Sequence, residues 1–171
     1  TFQDNVFHIK TATNGGAVYG GAMANARSLN FANATFTGNK ITADNVRGAF
    51  KALGGAYAAL ESSENVFGQD AVFENNQIDV NTGDALGGVL YAAENSTTVF
   101  DASATFKNNS VKTASFGRAD GGGLYAANSA SVTFNGSTRF EENSADAGGA
   151  NAAFGKLEFN KTNAEGAYDT I

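Results

Sequence analysis

The sequence predicts an all-β fold, a right-handed parallel β-helix (β-solenoid) of about five three-strand rungs with loops inserted at one corner. Two interleaved motifs and a third column of phenylalanines point to it. Phe-x-x-Asn occurs at Phe2 to Asn5, Phe36 to Asn39, Phe73 to Asn76, Phe106 to Asn109 and Phe140 to Asn143, and successive phenylalanines lie 34, 37, 33 and 34 residues apart. A glycine motif runs in phase with it: Gly15-Gly16-Ala17-Val18-Tyr19, Gly54-Gly55-Ala56-Tyr57, Gly87-Gly88-Val89-Leu90-Tyr91, Gly121-Gly122-Gly123-Leu124-Tyr125 and Gly148-Gly149-Ala150. Between the two, Phe31, Phe67, Phe100, Phe134 and Phe159 each centre a short segment, so ten of the 14 phenylalanines fall into two columns.

Each unit reads as three short strands: Gly-Gly-Ala-x-Tyr-Ala, then x-Val-x-Phe, then Ala-x-Phe-x-x-Asn, with Asn, Gly and Ser at the corners. In the third strand Ala34, Ala71 and Ala104 share a side with Phe36, Phe73 and Phe106. Thr37, Glu74, Lys107 and Glu141 take the other side, so the phenylalanine side faces inward. A helix is excluded by the period of two and by the Asn, Thr, Val and Gly content. One unit cannot enclose a core alone, whereas stacking equivalent strands about 4.8 Å apart pairs every backbone N–H and C=O.

In that geometry Phe36, Phe73, Phe106 and Phe140 form one interior ladder and Phe31, Phe67, Phe100 and Phe134 another. Asn39, Asn76, Asn109 and Asn143 stand at a corner, where the amide tolerates the left-handed conformation and bonds to the asparagine one rung away. Paired glycines supply positive φ or close approach at the next corner. The absence of proline fits strands that spare no N–H. From Phe-x-x-Asn to the next Gly-Gly the distance varies over 18, 14, 15 and 8 residues. The return distance holds at 19, with 21 in the first unit, where Gly20-Gly21 reads as an insertion. Loops therefore emerge at one edge and form a lateral surface, where solenoids bind. Residues 1–171 read as a single β-helix segment, part of a longer passenger or a filament protomer.

Composition narrows the chemistry. A net charge of −6 and a charged fraction of 16% argue against a nucleic-acid partner held through phosphates. Apolar runs fall far short of the roughly 20 residues that span a bilayer. With no cysteine, disulfides, thiolate metal sites and cysteine nucleophiles are excluded. The single histidine, His8, would have to serve any imidazole-dependent triad or metal centre, and its setting, NVFHIK, reads as a solvent-facing strand. Glu141 and Glu142 are adjacent and face opposite ways in a strand. Asp120 beside Arg118 is the remaining acid–base pair and reads as solvated charge. No catalytic residue, metal or cofactor is expected, and a polysaccharide-degrading β-helix enzyme is the third reading of function.

The candidate binding surface is aromatic. Tyr19, Tyr91 and Tyr125 share one register of the glycine-rich segments; if Val18, Leu90 and Leu124 point inward, the tyrosines form an exposed stripe. The alternative is a structural tyrosine ladder lying flat on the sheet or covered by a loop. In the inserted segments, Arg47 with Phe50 and Phe116 with Arg118 combine an aromatic with a cation, which suits recognition. The alternative places Phe50 and Phe116 against the solenoid flank.

Gly-Gly-Ala-(Ile/Leu/Val) and Phe-x-x-Asn in tandem resemble the repeats of the polymorphic outer membrane proteins, a family of type V secreted autotransporters. The resemblance implies an extracellular, outer-membrane-attached passenger acting as an adhesin or self-associating surface protein. Its partner would be a host or neighbouring cell-surface protein or glycan. Neither end carries an amphipathic helix or polar cap, so the alternative is a subunit that self-associates head to tail through the solenoid ends into a filament.

Overall fold

The computed structural model describes residues 1–146 and the backbone of 156–159. Gly148-Gly149-Ala150, Tyr168 and the side chain of Phe159 lie outside the described residues. The chain winds as a parallel β-solenoid of about four turns, with no helix among the described residues. The first turn contains β1 (Phe2–Gln3), β2 (Val6–Ala12), β3 (Gly16–Tyr19), β4 (Met23–Asn25) and β5 (Ser28–Phe31). The second repeats them as β6 (Ala34–Thr37), β7 (Lys40–Val46), β8 (Phe50–Leu53), β9 (Tyr57–Ala59) and β10 (Glu64–Phe67). The third has β11 (Ala71–Glu74), β12 (Gln77–Val80), β13 (Asp84–Leu86), β14 (Leu90–Ala92) and β15 (Thr97–Phe100). The fourth has β16 (Ala104–Lys107), β17 (Ser110–Thr113), β18 (Ala119–Asp120), β19 (Leu124–Ala126) and β20 (Ser131–Phe134); β21 (Thr138–Glu141), β22 (Ser144–Asp146) and β23 (Lys156–Phe159) follow.

Every fifth strand stacks in parallel, giving five sheets in place of the three strands per rung that the motifs suggest. The two additional sheets lie between Phe-x-x-Asn and the paired glycines. One, from β2 to β22, stacks Ile41, Ile78 and Val111; the other, from β3 to β18, stacks Ala52, Ala85 and Ala119. All six residues are buried. Both keep a fixed offset from a motif, two residues after each ladder asparagine or two before each paired glycine, and the variable length falls between them; small or aliphatic residues of changing identity hid them from the motif search. In the second turn the added residues lengthen a strand, since β7 continues to Val46 against an equally long β2, with Thr11 opposite Asn45 and Ala12 opposite Val46. Where the third turn is shorter, the Asn81 Oδ1 accepts the Val46 N–H at 3.2 Å in place of a strand carbonyl.

The phenylalanine ladders fill the larger core. Phe36, Phe73, Phe106 and Phe140 stack at centroid separations of 5.3, 4.8 and 4.7 Å, and Phe31, Phe67, Phe100 and Phe134 at 4.6, 4.6 and 4.9 Å. The two ladders meet edge to face, as Phe73 and Phe100 do at 6.0 Å, an arrangement the ring quadrupole favours. Beside them runs an asparagine ladder. The Asn39 side-chain amide donates to the Asn76 Oδ1 at 2.9 Å, Asn76 to Asn109 at 3.0 Å and Asn109 to Asn143 at 2.8 Å. Each amide also reaches a phenylalanine carbonyl of the preceding turn, so these buried polar groups are satisfied. The left-handed conformation falls one residue earlier than expected, at Asp4, Gly38, Asn75, Asn108 and Glu142, because the asparagine itself must keep its N–H aimed at the next Oδ1.

The paired glycines need correcting by one strand. Met23 pairs with Tyr57, and the Gly20 and Gly21 N–H groups bond the Leu53 and Gly54 carbonyls, so Gly20-Gly21 is the first turn's motif and Gly15-Gly16 belongs to the preceding sheet. The two glycines have different causes. The first of each pair has positive φ, from 64° at Gly20 to 73° at Gly54, whereas a Cβ on the second would run into the backbone of the turn above, the carbonyl oxygen of Gly122 in the case of Gly88.

At this corner the wall turns inside out. Ala52 and Ala85 point into the smaller core, so their strand neighbours Leu53 and Leu86 point outward. Tyr57, Leu90 and Leu124 point into the larger core, so Tyr91 and Tyr125 point outward too. Leu53, Leu86, Tyr125, Ala127 and Tyr91 form a third cluster, and the flank is concave there.

Candidate functional site: a tyrosine-lined lateral cleft

This concave flank gathers the tyrosines, though not through a common register. Tyr91 lies opposite Tyr125, with parallel rings 5.7 Å apart, and the column continues through Ala58 and Ala24. Tyr19 instead belongs to the sheet of Leu53 and Leu86. It reaches the same surface because the two sheets meet at the concave corner. Its side chain is 43% exposed, whereas Tyr125 is only 6% exposed and packs with Leu53 and Leu86, not as part of an exposed stripe.

A cleft of about 450 Å³ opens between Tyr19 and Tyr91, closed along its other sides by Ala26, Leu60, Glu61, Ala93 and Glu94. Glu61 and Glu94 occupy one register in adjacent turns, three residues before the paired Glu64 and Thr97. Burial raises the Tyr91 hydroxyl above its ordinary pKa; Tyr125, Tyr19 and Glu94 add to the rise, and Arg118 offsets part of it.

One turn further along, the flank holds a cation of its own. Asp84 Oδ1 accepts the Arg118 backbone N–H at 3.0 Å while its Oδ2 accepts from the guanidinium at 3.2 Å, and Asp120 lies 3.8 Å from the same guanidinium. Burial raises the Asp120 carboxyl above its usual range; Arg118 opposes the rise and Asp84 adds to it. Asp84, Glu61 and Glu94 escape motif analysis, although each sits at repeat spacing from its partner: 34 residues from Asp84 to Arg118 and 33 from Glu61 to Glu94.

The remaining candidates scatter. Phe50 is buried in the smaller core with Val46 and Ala52, while Arg47 is exposed, so the two do not share a binding surface. Phe116 is 89% exposed on the corner beside Gly83 and Gly117, and Arg118 turns to Asp84 and Asp120. His8 lies on the outer face of β2, with Nδ1 2.7 Å from the Thr42 hydroxyl and Nε2 3.3 Å from Asp44. No group of three or more His, Cys, Asp or Glu residues arranged to hold a metal occurs among the described residues. Among them, too, no helix is long and apolar enough to cross a membrane. Compared with known proteins, the chain matches no family model, no curated protein and no solved structure.

Proposed function

We propose that the chain is a non-catalytic, extracellular β-solenoid passenger that acts as an adhesin, with the Tyr19–Tyr91 cleft as its contact surface for a protein or glycan on a host or neighbouring cell. The observation that carries this is an accessible aromatic cleft on the flank of a scaffold held by continuous ladders of rings and amides. An exposed tyrosine, Tyr19, facing the half-buried Tyr91 in a concave setting is a favourable contact group, since such rings bury much area at small entropic cost. The tandem motifs, which resemble those of outer-membrane autotransporters, support the cell surface as its location. The test compares cell-surface retention of beads coated with the native chain or with Tyr19→Ala/Tyr91→Ala. Retention should fall about tenfold, the size of a lost hot spot, with the circular dichroism spectrum unchanged. Equal retention by a folded variant would remove the cleft from the adhesin.

A further inference from the structure

We infer that the cleft takes a cationic side chain, the lysine or arginine of a basic polypeptide segment, and so selects a basic protein surface as its partner. This rests on the cleft being the contact surface and adds what it recognises.

The lining offers acceptors and π faces. The Glu61 and Glu94 carboxylates accept hydrogen bonds only, the Tyr19 and Tyr91 rings present negative faces, and none of the lining residues is a lysine or arginine. Arg27, next to Ala26 at the rim, is not part of the lining.

Charge placement along the solenoid singles out the same spot. Outward charges in adjacent turns pair with opposite sign elsewhere: Lys107 with Glu141 at 3.4 Å, Lys112 with Asp146 at 3.7 Å and Arg118 with Asp84 at 3.2 Å. Glu61 and Glu94 break that pattern, with like charges in one register of adjacent turns beside the cleft. The chain's own Arg118 shows what such an occupant would do. Its guanidinium lies between two carboxylates, Asp84 and Asp120, next to Tyr125, on the same flank one turn along. The Tyr19–Tyr91 cleft is lined by rings and carboxylates of the same kind and by no cation, with Arg118 acting on the Tyr91 hydroxyl from the neighbouring site. It spans the first to third turns, roughly 10 Å at about 4.8 Å per turn, which suits a side chain delivered by an extended segment.

The experiment titrates the chain with tetra-arginine, tetra-glutamate and maltotetraose, reading tyrosine fluorescence and heat. Tetra-arginine should bind one to one, tetra-glutamate and maltotetraose should not, and Glu61→Gln/Glu94→Gln should weaken binding about tenfold. The charge-matched Asp44→Asn/Asp79→Asn, on a different sheet, should change it by less than about twofold. Equal losses in the two double variants would reduce the effect to attraction by an acidic chain and overturn the site, as would maltotetraose binding that survives Glu61→Gln/Glu94→Gln. Adhesion that depends on Tyr19 and Tyr91 in a chain that ignores tetra-arginine would sink the cation and keep the adhesin. Tetra-arginine binding with adhesion indifferent to those tyrosines would keep the cation site and sink the adhesin.

Discussion

Phe106 has a stacked ring on each side, Phe73 at 4.8 Å and Phe140 at 4.7 Å, and edge contacts to Phe100 and Phe134. Truncation to alanine leaves a hole that a backbone hydrogen-bonded above and below cannot collapse. Phe106→Ala should therefore cost about 3 to 5 kcal/mol by chemical denaturation, and a loss under about 0.5 kcal/mol would contradict the packing. Asp120 makes a prediction about pH. Its folded pKa is raised, so between the unfolded and folded values the native chain binds more protons, and its contribution to stability is present at low pH and lost as pH rises through the folded value. The unfolding free energy of the native chain minus that of Asp120→Asn should fall as pH rises from the ordinary carboxylate range. A flat difference across a denaturation series would show that Arg118 fully offsets the burial.

At the scale of the element, the glycine corner sets the shape of the turn. Ser110 and Gly122 backbone atoms enclose the place where a Cβ on Gly88 would go, and neither is the end of a flexible side chain. Gly88→Ala should cost at least about 3 kcal/mol through displaced backbone. Gly68→Ala is the contrast, since its Cβ would meet only the Phe31 carbonyl at 3.5 Å, and it should be neutral or stabilising by about 0.5 kcal/mol. Thermal melts of the two variants check both. The strands around this corner also show the limit of motif analysis. Phe, Asn and Gly recur because ladders and corners demand identical shapes in each turn. β7, β12 and β17 need only be apolar on one side, so Ile41, Ile78 and Val111, each five residues after a ladder phenylalanine, vary in identity and leave no residue-type motif.

For the whole molecule, stability is close to a sum of turns and of the interfaces between them. Val6 and Phe7 are exposed where their counterparts in β7, Lys40 and Ile41, lie under another strand. Val6→Lys should leave the fold intact, since this side chain, opposite Lys40, buries little. If chains join through this edge, the variant should abolish any growth of light-scattering mass with concentration. Mass growth unaffected by the variant would exclude this edge as the joint. The lateral cleft belongs to this scale as well, because Tyr19 in the first turn and Tyr91 in the third meet across the intervening turn.

By itself the sequence determined the solenoid and the ring and asparagine ladders, because stacking makes each turn the template of the next and writes its needs at a fixed period. Only the tertiary structure decided which glycines pair, that five strands make a turn, that Phe50 and Tyr125 are buried, and that Glu61 and Glu94 close a cleft over Tyr19 and Tyr91. Period locates a residue along the solenoid axis. Which way the wall bends at each corner depends on backbone geometry around the turn, and that bend brings side chains from different registers onto one concave flank.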